Sequence, residues 1–207
     1  MENNTDQAPL DQNIDLHRAR KIPGRHRMVR SAVCVLLREH EARDEVLLMR
    51  RAIREGDPWS GHVSFPGGRA DPSDSDTLST ATRELEEEVG FSAANADFVG
   101  RLSDVVTRRH EVMRPMIVTP YAFRVPAETE FDTNHEAEET FWCPLDFLAD
   151  PNNREEMEWK LGKQPLQVPV KLPCYFYEGR RIWGLTLLML DELIKIYQGK
   201  GNQRHRR

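Results

Sequence analysis

The chain has 207 residues, of which 39% are hydrophobic and 30% charged, and a formal net charge of −5. That length suits one domain with a sizeable core, and the acidic balance argues against bulk nucleic-acid binding. The longest apolar runs, residues 32–37 and 185–190, are too short to span a bilayer, and the opening MENNTDQAPLDQNIDL has acids where a signal peptide needs a basic and then an apolar run.

Residues 1 to about 20 are polar and without periodicity, and Arg18, Arg20, Lys21, Arg25, Arg27 and Arg30 follow as a basic patch. Residues 1–27 therefore read as a flexible lead-in, with the patch either solvated or attractive to a phosphate-rich ligand. Ser31–Arg38 and Glu45–Arg50 read as two strands of a hairpin, and His62–Pro66 as a short strand running into Gly67 and Gly68. Helical spacing of Leu78, Ala81, Leu85 and Val89 predicts a helix over Thr77–Glu88, with Asp76 as N-cap, Asp74 near its start and Gly90 as its stop. Ala96–Ser103, Met116–Val125 and Thr140–Cys143 read as further strands, and Pro144 opens a brief helix. Residues 150–169 read as an irregular insertion or long loop. Lys171–Tyr177 and Arg180–Trp183 flank Glu178-Gly179 as a hairpin, and the stripe from Leu187 to Tyr197 predicts a helix over Gly184–Gln198. Residues 199–207 read as a basic, disordered tail. The order lacks regular βαβ alternation and predicts a central mixed sheet covered by helices on both faces, an α/β/α arrangement over residues 28–198. Cys34, Cys143 and Cys174 are widely spaced and fit no zinc pattern, so they read as reduced, mostly buried thiols of a cytoplasmic protein.

The chemistry concentrates between Gly67 and Phe91. Glu84, Glu87 and Glu88 stand at i, i+3 and i+4, so a helix projects them from one face. Such crowded carboxylates call for a cation, and hard oxygen ligands suit Mg²⁺ shared with substrate phosphates. The run Arg83-Glu84-Leu85-Glu86-Glu87-Glu88-Val89-Gly90-Phe91 resembles the second half of the Nudix hydrolase signature, G-x5-E-x7-R-E-U-x-E-E-x-G-U with U bulky and apolar. The first half departs from it: five residues after Gly68 stands Asp74 rather than Glu, and eight residues rather than seven separate it from Arg83.

The resemblance covers roughly residues 28–198 and implies a Nudix-type α/β/α sandwich. It implies a pyrophosphohydrolase acting on a nucleoside diphosphate linked to another moiety. Mg²⁺ or Mn²⁺ would sit on Glu84, Glu87, Glu88 and the Gly68 carbonyl, and Arg83 would orient a glutamate. In related coenzyme A pyrophosphatases a loop glutamate before a Trp-x-Pro-Leu stretch faces the metals. Glu136 holds that place, with Glu139 as the alternative. Phe65-Pro66-Gly67-Gly68, Leu47-Leu48, Gly61 and Ile182–Thr186 also resemble that subgroup, while Asp57 stands where its motif has an arginine. The expected substrates are coenzyme A or ADP-containing derivatives, with nucleotide sugars, dinucleoside polyphosphates or damaged nucleotides as alternatives. A nucleotide-sensing module without catalysis is the alternative of another class. Arg50, Arg51 and Arg54 are the cations nearest in sequence for a substrate phosphate. Arg108 and Arg109 either clamp a phosphate or are exposed loop charges, and Trp59 stacks on a base or, the favoured reading, packs its loop on the sheet. The expected partner is a small nucleotide, without membrane; monomer and homodimer are both compatible with the sequence.

Overall fold

The computed structural model describes residues 9–55, 59–107, 115–161 and 167–202. Strands β1 (Val29–His40) and β2 (Arg43–Arg51) form the expected hairpin. Its turn places Glu41 and Ala42 at φ of 50° and 59°, the left-handed pair that matches the twist of a two-residue hairpin. Strand β3 (Val63–Ser64) pairs with β2, and β4 (Gly67–Arg69) lies antiparallel to the start of β1. After helix α2 (Thr77–Val89) come β5 (Asp97–Arg101), β6 (Val105–Thr107) and β7 (Met116–Arg124). Strand β7 runs parallel to β1 over nine residue pairs, from Val29↔Met116 to Leu37↔Arg124, and antiparallel to β5 and β6. Strand β8 (Ala137–Pro144) completes the mixed sheet on the far side of β2.

Alternation along β1 divides the core. Ala32, Cys34 and Leu36 meet Ala81, Leu85 and Val89 of α2 on one face. Val33, Val35 and Leu37 meet helix α1 (Leu10–Leu16), helix α3 (Leu145–Ala149) and helix α4 (Gly184–Tyr197) on the other. Each fully buried Leu or Val contributes about 1.5–3 kcal/mol. The outcome is the expected mixed sheet between helical layers. The three cysteines are free and buried, as expected. No helix among the described residues is long and apolar enough to cross a membrane.

Three expectations need correction. The lead-in is not flexible over residues 9–27: Leu10 and Ile14 of α1 enter the core, and Arg25 reaches Asp104, Thr77 and Thr119. A stripe of two apolar residues one turn apart is too short to stand out from its polar neighbours. The irregular insertion is in part a strand, β9 (Arg154–Leu161), paired with β10 (Val168–Tyr177), which forms the predicted hairpin with β11 (Arg180–Trp183). Its period-two signal is reduced to Met157, the one buried residue of 154–160, so charge hides it. The tail is ordered at its start, where the Arg18 N–H donates to the Asn202 carbonyl.

Candidate active site

Two glycines bring main chain against the signature helix. Gly67 has φ 150°, and a Cβ there would stand 2.3 Å from the Ala32 carbonyl oxygen of β1, so only glycine fits. Its N–H donates to Glu88 Oε2 at 2.7 Å. At Gly68 a Cβ would lie 2.4 Å from Glu84 Oε1, which places the glycine backbone directly beside that carboxylate. The Gly68 carbonyl accepts from Ser31 Oγ at 2.5 Å.

Helix α2 starts and stops as its sequence requires. Asp76 accepts from the N–H groups of Leu78 and Ser79, both at 2.8 Å, and Ser79 closes a capping box. Gly90 ends the helix at φ 65°. The loop after β7 hooks onto the last turn: Asp132 N–H donates to the Val89 carbonyl, Asn134 N–H to that of Glu88, and Asn134 Nδ2 to that of Glu87. Those carbonyls have no partner within the helix, so the loop is anchored on them. Its anchoring delivers Glu136 to the carboxylate cluster.

The three helix glutamates are not equivalent. Glu88 is 2% exposed, and burial pushes its carboxyl up to about 7, against the Gly67 N–H that favours the charged form. Glu84 is half-buried and raised by burial, with Arg83 opposing. The negative charge of Glu136 raises both, which marks it as part of the same cluster. Glu87 points to solvent and pairs with Arg83 at 2.9 Å. Each acid has a guanidinium: Arg83 on Glu84 at 3.0 Å, Arg51 on Glu88 at 3.7 Å and Arg54 on Glu136 at 3.3 Å. Among the described residues no three acidic, histidine or cysteine side chains already close around an ion position. The donors nonetheless suit a hard divalent cation: two inward carboxylates, one of them desolvated, beside a glycine backbone.

Arg83 joins the signature loop to the helix. It grips Asp74 with two bonds, at 3.0 and 3.1 Å, and donates to the Arg69 carbonyl at 3.2 Å. That fork holds the Asp74 carboxyl well below the usual carboxylate range. Asp74 therefore positions Arg83. Asp74→Asn should cost about tenfold in kcat, against two orders of magnitude or more for Glu88→Gln. Steady-state kinetics on both variants checks the ranking, and an equal loss would put Asp74 among the ligands.

The remaining expected residues separate. Arg51 lies at the cluster, whereas Arg50 pairs with Glu138 at 3.4 Å. Trp59 is 38% exposed in the turn before β3. Glu139, the alternative to Glu136, is held by both nitrogens of an Arg180 fork at 2.9 and 2.7 Å. Arg108, Arg109 and Asp57 lie outside the described residues. Sequence reasoning missed the anchoring role of Asn134; its place just before Glu136 was the available signal.

Comparison with known proteins agrees with this geometry. The family model of the NUDIX domain matches residues 28–161. "Nudix hydrolase 15, mitochondrial" of Arabidopsis thaliana is 32% identical over 177 residues, 80% of this chain and 58% of that protein, so this chain spans little over half the relative's length. "Uncharacterized Nudix hydrolase NudL" of Yersinia pestis is 33% identical over 151 residues, 72% of this chain and 70% of the relative. "Mitochondrial coenzyme A diphosphatase NUDT8" of Homo sapiens is 28% identical, covering 83% of this chain and 71% of its own. A MutT/nudix family protein from Enterococcus faecalis shares the fold at TM-score 0.51 and 17% identity, over 87% of this chain and 64% of that one. With the signature helix, its glycine loop and the matched domain all in place, the chain belongs to the Nudix family.

Proposed function

We propose that the protein is a metal-dependent pyrophosphohydrolase cleaving a nucleoside diphosphate linked to another moiety, with coenzyme A or ADP-containing derivatives as its substrate class. The observation that carries this is the inward pair Glu84 and Glu88 beside Gly67 and Gly68, on a helix whose end anchors Glu136. Glu84, Glu88 and the Gly68 carbonyl would hold Mg²⁺ or Mn²⁺, with Glu87 at the outer edge. The cation, when bound, neutralises phosphate charge and lowers the pKa of a bound water. Glu136, partly exposed beside the two inward carboxylates, accepts the proton of the attacking water at its carboxylate. Arg83 keeps Glu84 in place while Asp74 keeps Arg83 in place.

Arg51 and Arg54 gain a definite role in this reading. They lie beside Glu88 and Glu136, at 3.7 and 3.3 Å. Their planar forks suit substrate phosphate oxygens. Trp59, Arg108 and Arg109 are the candidates for contacts with the rest of the substrate. The human relative's name includes coenzyme A diphosphatase, which favours that substrate class here. Three buried thiols agree with a reducing compartment such as the cytoplasm, although two relatives are named as mitochondrial.

In sequence, Asp57 takes the place of an arginine in the related coenzyme A motif, so selectivity for the 3′-phosphate should be weak. The test separates the products from coenzyme A, its 3′-dephospho form, ADP-ribose and a dinucleoside polyphosphate, with Mg²⁺ or Mn²⁺ present. We expect cleavage of the pyrophosphate and less than a tenfold difference in kcat/KM between coenzyme A and the dephospho form. A hundredfold preference, about 2.7 kcal/mol, would mean that a dedicated 3′-phosphate site exists despite Asp57. Cleavage of none of these substrates would contradict the proposed function.

A further inference from the structure

On the face of the sheet opposite α2, a groove of about 590 Å³ runs between the segment after α1, the β5–β6 turn and the outer side of α4. The hydrolase reading makes no use of it. The two basic segments of the sequence meet there, because Arg18 N–H donates to the Asn202 carbonyl at 2.6 Å. Arg18, Arg20, Lys195 and Lys200 line the groove, and all four are exposed. The acids along it are already engaged. Asp191 pairs with Arg154, Asp104 with Arg25 and Arg101, and Glu192 with His17 and Ser103. The rim therefore presents an excess of positive charge to solvent.

The groove also has a wall and a floor. Leu188 and Val106, 55% and 42% exposed, supply an apolar wall. At the floor the His17 side chain is 4% exposed, with Nε2 2.8 Å from Glu192 Oε1. Its Nδ1 is buried without a hydrogen-bond partner among the described residues. Such atoms are rare because burial without a partner is costly. Gly201 has no side chain over that nitrogen, where a Cβ would stand 3.4 Å from it.

We propose that this groove is a second ligand site, separate from the hydrolytic one, and that it takes an organic phosphate of mononucleotide size. The phosphate meets the Arg and Lys rim, which suits its charge and geometry. The flat apolar part of the ligand lies against Leu188 and Val106. The volume falls within the roughly 300–1,000 Å³ of small-molecule sites. Nothing in this arrangement requires a divalent cation, so binding here is separable from binding at Glu84 and Glu88.

Isothermal titration calorimetry in excess chelator, with AMP and inorganic phosphate as probes, tests the proposal. AMP should bind wild type and Glu88→Gln alike, and more tightly than inorganic phosphate does. Lys195→Glu with Lys200→Glu should weaken AMP at least tenfold. Lys160→Glu with Lys171→Glu, an equal charge change on the exposed β9–β10 pair, should leave it unchanged. Thermal melts establish that each variant is folded. The proposal is overturned if AMP does not bind, if Glu88→Gln abolishes binding, or if the two lysine pairs behave alike. Inorganic phosphate binding as tightly as AMP would overturn the assignment to a nucleotide-sized ligand.

Discussion

Glu88→Gln is expected to lower kcat by two to four orders of magnitude and, in metal-free buffer above neutral pH, to make the protein more stable. Both effects follow from the near-complete burial of a carboxylate that the proposed hydrolysis uses in its charged form. In the metal-free fold its pKa is about 7, above roughly 4.3 for the unfolded chain. The unfolded chain therefore gives up its proton first as pH rises. The stability that Glu88 contributes is fully present below about pH 4, falls as pH rises and is lost through pH 7. The loss is about 3 kcal/mol by pH 8. Gln carries no charge to desolvate and still offers an oxygen to the Gly67 N–H. Thermal melts of metal-free wild type and variant should coincide within a degree or two at pH 4 and separate by several degrees at pH 8, with the variant higher. A variant less stable at pH 8 would mean that Arg51 and Gly67 compensate the buried charge more fully than the geometry indicates.

The two adjacent glycines should fail in different ways. At Gly67 an added Cβ meets main chain, 2.3 Å from the Ala32 carbonyl oxygen and 2.6 Å from Val33 Cα, and the positive φ opposes any L side chain. Gly67→Ala should destabilise by about 3 kcal/mol or more and lower the soluble yield. At Gly68 the three atoms nearest the Cβ all belong to the Glu84 carboxylate. That carboxylate can swing aside, so Gly68→Ala should melt near wild type while turnover falls about a hundredfold. Circular dichroism and kinetics on the pair read this directly. Equal destabilisation by both would show that Glu84 cannot move, and that the Gly68 contact is structural.

The signature helix was legible because every determinant was local: the Asp76 cap, the spacing of Ala81, Leu85 and Val89, and Gly90. Capping and periodicity act within a few residues, so one sequence displays them. The strands β1 and β7 were legible by composition, but their parallel pairing was not, since Val29 and Met116 find each other only through the whole topology. At the site, residue types pointed to Glu84, Glu87 and Glu88 alike. The fold buries two and leaves Glu87 on the outside with Arg83. Periodicity could not show this, because it depends on where β4 crosses α2. The pairings of Arg51 with Glu88 and Arg54 with Glu136 span 37 and 82 residues, respectively, and are equally non-local. Helix α1 was missed because its burial rests on Leu10 and Ile14 finding a place beside Gly100, whose absent side chain admits Ile14.

The central claim is that Glu84 and Glu88 together hold the divalent cation on which hydrolysis depends. Electron paramagnetic resonance of Mn²⁺, titrated into wild type and into Glu84→Gln with Glu88→Gln, tests it without knowledge of the substrate. The account predicts Mn²⁺ bound to wild type and at least a hundredfold weaker binding to the double variant, whose melting curve shows it to be folded. Equal Mn²⁺ affinity in the two proteins would contradict the account.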